Sequence, residues 1–282
     1  MQNQLLLFVM GVDIPVEELR ETLELAKQQD AKVMCLILSH MPTYPLNAYG
    51  ALPYGEMGVA KEWAEELQTS GKRLDDAVKE TEQLLSSENA SGDVQGLHCV
   101  TADVREIVAQ RALVCDVVTI AKNLKDLNPD VYKAASNGVL FDSPISLALN
   151  DAALRKPKRV FLAWNTELPA SRAAHRALPI LKQADEVIVG CVDLKASEDG
   201  NGEDPGADVA RWLSHHGCDV TVAQYPSGGQ PTSNIIKQRA TEAGANLVVM
   251  GAYGRSRLRE FILGGTTREM LEQSEIPVMM AH

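Results

Sequence analysis

No stretch of the sequence approaches the roughly 20 consecutive apolar residues of a membrane-spanning helix. The opening, MQNQLLLFVMGVD, has neither the basic region nor the small-residue cleavage site of a secretory leader. Basic residues are scarce: 27 Lys and Arg face 38 Asp and Glu, for a net charge of −11. That balance argues against nucleic acid as a partner and against docking on an anionic membrane, since both need a basic face. Cysteine is limited to Cys35, Cys99, Cys115, Cys191 and Cys218, an odd number with no CxxC pair, mostly within or beside apolar runs. Buried, reduced thiols in a cytoplasmic protein are expected. Catalytic signatures are missing as well, with no GxSxG elbow, no HExxH and no paired carboxylates beside the glycine-rich segment near the C-terminus. Binding is therefore expected ahead of catalysis, with slow hydrolysis the most that such a site would support.

What the sequence does have is one pattern written twice. In the first half, LLLFVMG precedes a helical pattern in which Val16, Leu19, Leu23 and Ala26 share a face. AKVMCLIL, a loop rich in Pro, Gly and Tyr, a long amphipathic helix from about Val59 to Ser87, VQGLHCVTA, REIVAQRALVC and DVVTIA follow. A looser stretch then leads to PISLAL. After RKPK the order recurs: RVFLAW, PASRAAHRALPILKQA, EVIVGCV, an acidic loop, a helix near DVARWLSHHG, DVTVAQY, a helix over 232–244, NLVVMG, a glycine-rich segment with its helix, and PVMMA. Short apolar runs alternating with helices predict parallel sheets covered on both faces. The fold expected is α/β, with two tandem five-stranded Rossmann-like domains at residues 1–152 and 153–282. The charge is divided unevenly: residues 1–150 hold 12 Lys and Arg against 22 Asp and Glu, and residues 151–282 hold 15 against 16.

In an open parallel sheet, ligands bind beyond the carboxyl ends of the strands, where the strand order reverses. In the second half this points to AWNTELPAS and to GAYGRSRLREFILGGTT. Gly251 and Gly254 allow close approach of backbone to a ligand and positive φ. Consecutive N–H groups there form an anion nest. After nine intervening residues from Gly254, Gly264 leads into Gly265, Thr266 and Thr267 at a helix start, which offers free amides and the positive end of a dipole. Arg255, Arg257, Arg259 and Arg268 make the segment locally positive. The alternative is that Thr266 and Glu269 form a capping box, which needs no ligand.

The spacing GxxGx9G after the fourth strand resembles the nucleotide signature of the universal stress protein family, and the likeness extends over nearly the whole chain. It implies the fold already expected, here of the HUP type, with the two domains paired through their last strands, PISLAL and PVMMA, as an internal pseudo-dimer. It further implies an adenine-nucleotide site, for ATP or a relative with Mg2+ as a possible companion, in the second domain. The site would draw on Ala163, Trp164 and Asn165 after the first strand, Val192 and Met250 at strand ends, and Gly251, Gly254, Arg255, Gly264, Gly265, Thr266 and Thr267 in the signature. Asn165 stands where the ATP-binding branch has aspartate, and Gly265 where it has Ser or Thr. The first half has only Gly138 in the matching region and Asp142-Ser143 at the helix-opening position, so it is expected to be a degenerate copy with a structural or regulatory role. A ligand-free stress scaffold binding other proteins, and a slow ATPase, are the competing readings; association into a homodimer is open.

Other features carry less. Ser227-Gly228-Gly229-Gln230-Pro231 is similar to a pyrophosphate loop but has Pro where such loops need Asp. His215, His216 and Cys218 lack a second cluster to complete a metal site. Trp164 is either a core aromatic or a stacking wall. Tyr44, Tyr49 and Tyr54 are expected in a packed or mobile loop.

Overall fold

The computed structural model describes residues 4–42, 61–150, 156–194, 204–254, 265–273 and 275–282. Tyr44, Tyr49, Tyr54, Arg255 and Gly264 lie outside these residues. The chain divides into two compact units: Gln2–Cys115 with Ile120–Gly138, and Asp116–Thr119 with Val139–His282.

In the first unit, β1 (Leu5–Gly11), α1 (Val16–Gln28), β2 (Lys32–His40), α2 (Lys61–Ser87), β3 (Gly92–Cys99) and α3 (Thr101–Ala112) alternate as the apolar runs predict. Strands β1, β2 and β3 are parallel neighbours in the order β3-β2-β1. Central β1 buries Leu6, Leu7, Phe8, Val9 and Met10 almost completely, as a strand covered on both faces must. Leu19, Leu23 and Ala26 of α1 are buried at helical spacing.

The looser stretch after β4 (Val117–Ile120) is instead α4 (Lys122–Leu127) and α5 (Pro129–Asp142). Gly138 lies inside α5 for a packing reason. A Cβ at Gly138 would run into the backbone carbonyl of Arg105 in α3, so the glycine marks a close helix approach and not a break.

The second unit adds β5 (Ser146–Leu149), β6 (Arg159–Trp164), α6 (Leu168–Leu181), β7 (Glu186–Val192), α7 (Ala207–His215), β8 (Val220–Tyr225), α8 (Thr232–Glu242), β9 (Leu247–Gly251), α9 (Gly265–Glu272) and β10 (Val278–Ala281). Its strand order is β4-β5-β10-β9-β6-β7-β8. All neighbours there are parallel except β5 and β10, which run antiparallel with Leu149 opposite Val278, Ala148 opposite Met279 and Leu147 opposite Met280. The last strands of the two repeats thus pair as the sequence led one to expect. Strand order reverses where β6 lies between β7 and β9, and the loops after β6 and β9 both leave at this point. The five cysteines are free and buried. Burial pushes the Cys35 thiol up to about 12 and, with the Asp208 charge adding to it, the Cys191 thiol to about 11.

Candidate functional site

The loop after β6 is built from a local polar contact. The Oδ1 of Asn165 accepts the backbone N–H of Glu167 at 3.2 Å, an Asx turn that holds the chain on itself. Between them Thr166 has φ +60°, a left-handed conformation that a β-branched residue rarely adopts. Its hydroxyl donates to the Asn165 carbonyl at 2.7 Å. Asn165 is therefore a turn former whose side-chain oxygen is already engaged. Glu167 stands immediately before α6, half-buried, with extended backbone.

Gly251 closes β9. A Cβ there would lie 2.5 Å from the Ala170 nitrogen and 2.6 Å from the Pro169 carbonyl carbon, both backbone atoms in the first turn of α6. A Cβ at Gly254 would overlap the Oε2 of Glu167. Both glycines serve close approach, as expected. The expected positive φ falls elsewhere: among the described residues of this turn, Tyr253 has it, at φ +57°. Tyr253 is held there from two sides. Its N–H donates to the Thr267 hydroxyl at 3.0 Å, and its buried ring packs against Phe141 with centroids 4.4 Å apart. Burial pushes its phenol up to about 12. Strained residues held by their surroundings concentrate at functional sites, and Thr166 and Tyr253 flank the same cleft.

Helix α9 opens at Gly265, so Thr266 lies inside its first turn and not at the cap position. The alternative of a capping box from Thr266 to Glu269 is not formed, since Thr266 is already helical. Glu269 accepts a hydrogen bond from the buried hydroxyl of Ser233 in α8, and Thr267 spends its side chain on Tyr253. The dipole end of α9 is directed by these two ties toward the turn after β9.

Together these pieces enclose a cavity of about 390 Å³, within the range of small-molecule sites. Ten of the twelve residues singled out from the sequence line it. Ala163, Trp164 and Asn165 come from the end of β6, Val192 and Met250 from β7 and β9, and Gly251, Gly254, Gly265, Thr266 and Thr267 from the glycine motif. Arg255 and Gly264 are not among the described residues. Trp164 is 8% exposed, mainly a core aromatic, and its indole N–H has no hydrogen-bond partner among the described residues.

Sequence reasoning missed Glu167, Tyr253, Thr232 and Gly190 as lining residues. Thr232 opens α8 just after the Ser227–Pro231 turn. That turn bonds to itself and to Asp193: Ser227 N–H donates to Asp193 Oδ1 at 2.9 Å, and Gly229 N–H to Ser227 Oγ at 3.2 Å. Gly190 leaves room for the Phe161 ring, which would collide with any Cβ there. His216 and His175 pack their rings on Trp212, at 5.0 Å and 4.4 Å.

The first unit has a smaller cavity of about 310 Å³ at the ends of β1 and β2. Several of its wall residues bond internally, while the buried Oδ1 of Asn123 has no hydrogen-bond partner among the described residues. Arg73 donates to Asp13 at 3.0 Å, Asn123 donates to the Asp13 carbonyl at 2.7 Å, and Ser70 contacts Ser39 at 3.1 Å and His98 at 2.6 Å. At the turn after β4 the backbone N–H of Lys122, which opens α4, donates to the Glu18 carboxylate, 3.0 Å from Oε2 and 3.3 Å from Oε1.

The model of the universal stress protein family matches residues 158–282. Among solved structures, the chain is similar to a protein of the universal stress protein family from Burkholderia pseudomallei, at 19% identity over 43% of this chain and 92% of that one, with a TM-score of 0.32. It is similar to a universal stress protein solved in complex with cAMP, at 19% identity over 45% and 99%, TM-score 0.35. It also resembles the universal stress protein UspA from Lactobacillus plantarum, at 12% identity over 44% and 97%, TM-score 0.35. No curated protein matches the chain.

Proposed function

Residues 158–282 form a domain of the universal stress protein family, and from that premise we propose that the cavity between the loops after β6 and β9 holds an adenine nucleotide, ATP in the first instance. One observation carries the reading: the glycine motif and the loop after β6, far apart in sequence, wall one cavity of about 390 Å³. In this reading the Gly254 end of the turn and the start of α9 at Gly265–Thr267 receive the phosphates through backbone amides. Val192, Met250 and Trp164 flank the less polar end, and the unused indole N–H of Trp164 is a donor for the ligand. The protein acts as a cytoplasmic nucleotide-responsive binding module, not a catalyst. Its two repeats divide at 152/153, with the first as a scaffold. Titration calorimetry and thermal unfolding of the whole chain with ATP test this. ATP saturating the site raises the unfolding midpoint, since a ligand bound only by the native state stabilises it by about 2.7 kcal/mol at 100 times Kd. No heat and no shift at millimolar ATP would overturn it.

A ligand-free scaffold is the second reading, favoured by one feature. Gly251 and Gly254 are both accounted for by packing against α6 and Glu167, with no ligand required. The Gly254→Val variant separates the two, because it crowds the cavity beside a flexible carboxylate: a folded chain that has lost ATP binding supports the nucleotide site.

A further inference from the structure

We infer that the edge strand β8 is a self-association surface, to which a second copy of this chain adds its own β8 antiparallel across a two-fold axis. The inference is independent of the nucleotide site.

Strand β8 has β7 on one side and, among the described residues, no strand on the other. Its bonds to β7 show which backbone groups are left over. The N–H of Val187 donates to the Asp219 carbonyl at 2.8 Å and that of Asp193 to the Tyr225 carbonyl at 3.0 Å, so the odd-numbered residues of the strand face β7. Val220, Val222 and Gln224 therefore turn their N–H and C=O groups outward, and among the described residues none of these backbone groups has a partner.

Proteins ordinarily blunt such an edge with charge, proline or a bulge. Strand β8, VTVAQY, has neither charge nor proline, its register with β7 runs unbroken from Val220 to Tyr225, and Val222 is exposed. The edge of the first unit differs. On β3 the N–H of Val33 donates to the Ser91 carbonyl and that of Met41 to the Cys99 carbonyl, which turns Gly92 and Gly96 outward. Those positions offer a partner strand no side chain, and Asp93 beside them is an exposed charge.

The outward groups of β8 are self-complementary. The antiparallel register that uses all three sets Val222 opposite Val222 of the second copy and Val220 opposite Gln224, each pair exchanging two hydrogen bonds. It opposes no like charges: Asp219 comes opposite Tyr225 of the second copy, over whose ring Arg239 lies at 5.3 Å. The chain already makes one antiparallel strand junction of this kind, between β5 and β10. Helix α7, which packs on β8, leaves room for the approach. Its Trp212 packs on His175 of α6, and helical spacing puts the small residues Ala207, Ala210 and Ser214 on the opposite flank. A strand pair of six residues is small beside the roughly 1,200 Å² that stable interfaces bury, so association is expected in the micromolar range.

Sedimentation velocity of the whole chain, from micromolar to near-millimolar concentration, tests this. The wild type is expected to pass from monomer to dimer within that range. Val222→Lys sets like charges against each other at the axis, and Val222→Pro removes an N–H that β7 does not use. Each is expected to weaken association by roughly tenfold or more at an unchanged thermal midpoint; should proline disturb the strand, the lysine variant decides. The register has its own readout. Opposed residues of a hydrogen-bonded pair have Cα atoms about 5.5 Å apart, inside the roughly 4.4–6.8 Å that a disulfide spans. Oxidised glutathione is therefore expected to link Val222→Cys into a covalent dimer and to leave Thr221→Cys, which comes opposite Ala223, unlinked. A wild type that stays monomeric throughout overturns the inference and leaves the edge to a strand from a different protein. A dimer that Val222→Lys does not weaken overturns it as well, because the contact then lies elsewhere.

Discussion

The turns after β4 and β9 occupy the same place in the two repeats and solve the same problem in opposite ways. After β4 the chain enters α4 at once, with no left-handed residue among Ala121 and Lys122, and Glu18 takes the exposed amide. After β9 the chain holds Tyr253 in a strained conformation, bound by Thr267 and Phe141, and leaves a cavity.

The largest test of that contrast is Gly251→Val. The new Cβ meets backbone atoms of Pro169 and Ala170, which cannot rotate away, so a loss of more than about 3 kcal/mol is expected, at or beyond the upper end for overpacking. Urea unfolding followed by far-UV circular dichroism measures it, and a loss under 1 kcal/mol would mean that α6 yields freely. Smaller and directly comparable are the anchors of the two turns. Thr267→Val strands the buried Tyr253 amide and is expected to cost about 1–3 kcal/mol. Glu18→Ala removes a charge-assisted acceptor from the partly exposed Lys122 amide, which water can replace, and is expected to cost about 1 kcal/mol. Equal losses would contradict the claim that only the turn after β9 is strained. The smallest effect concerns alkali. The folded-state pKa of Tyr253 is raised above its ordinary value of 10.0 to about 12, so its contribution is intact below pH 10 and is lost as pH rises from 10 through 12. Tyr253→Phe should flatten that part of the stability profile, read as the urea midpoint against pH.

Much of this was legible in the sequence, and the parts that were not share a cause. Strands such as LLLFVMG and NLVVMG and helices such as the one bearing Leu19 and Leu23 announce themselves through burial on one or both faces. The glycine motif announces its cavity through spacing. In the sequence Gly138 is only the one glycine of its region, and its packing role shows once the neighbouring Arg105 carbonyl is known. The capping-box alternative rested on the spacing of Thr266 and Glu269, but Thr266 is already helical in α9 and Ser233 from α8 donates to the Glu269 carboxylate. Glu167 had a signal, an Asn two residues before it at the end of a strand, and Tyr253 had one in lying between two motif glycines. Neither could be read as cavity-lining before the backbone conformation of Thr166 and of Tyr253 itself was known.

The antiparallel pairing of β5 with β10 has a further consequence. An edge-to-edge junction between separate molecules weakens on dilution, whereas here both strands belong to one polypeptide, and their encounter is governed by a fixed effective concentration. Sequence drift on one side therefore never faces the requirement of matching itself across a symmetry axis. Covalent linkage of the two strands thus frees the repeats to become unlike.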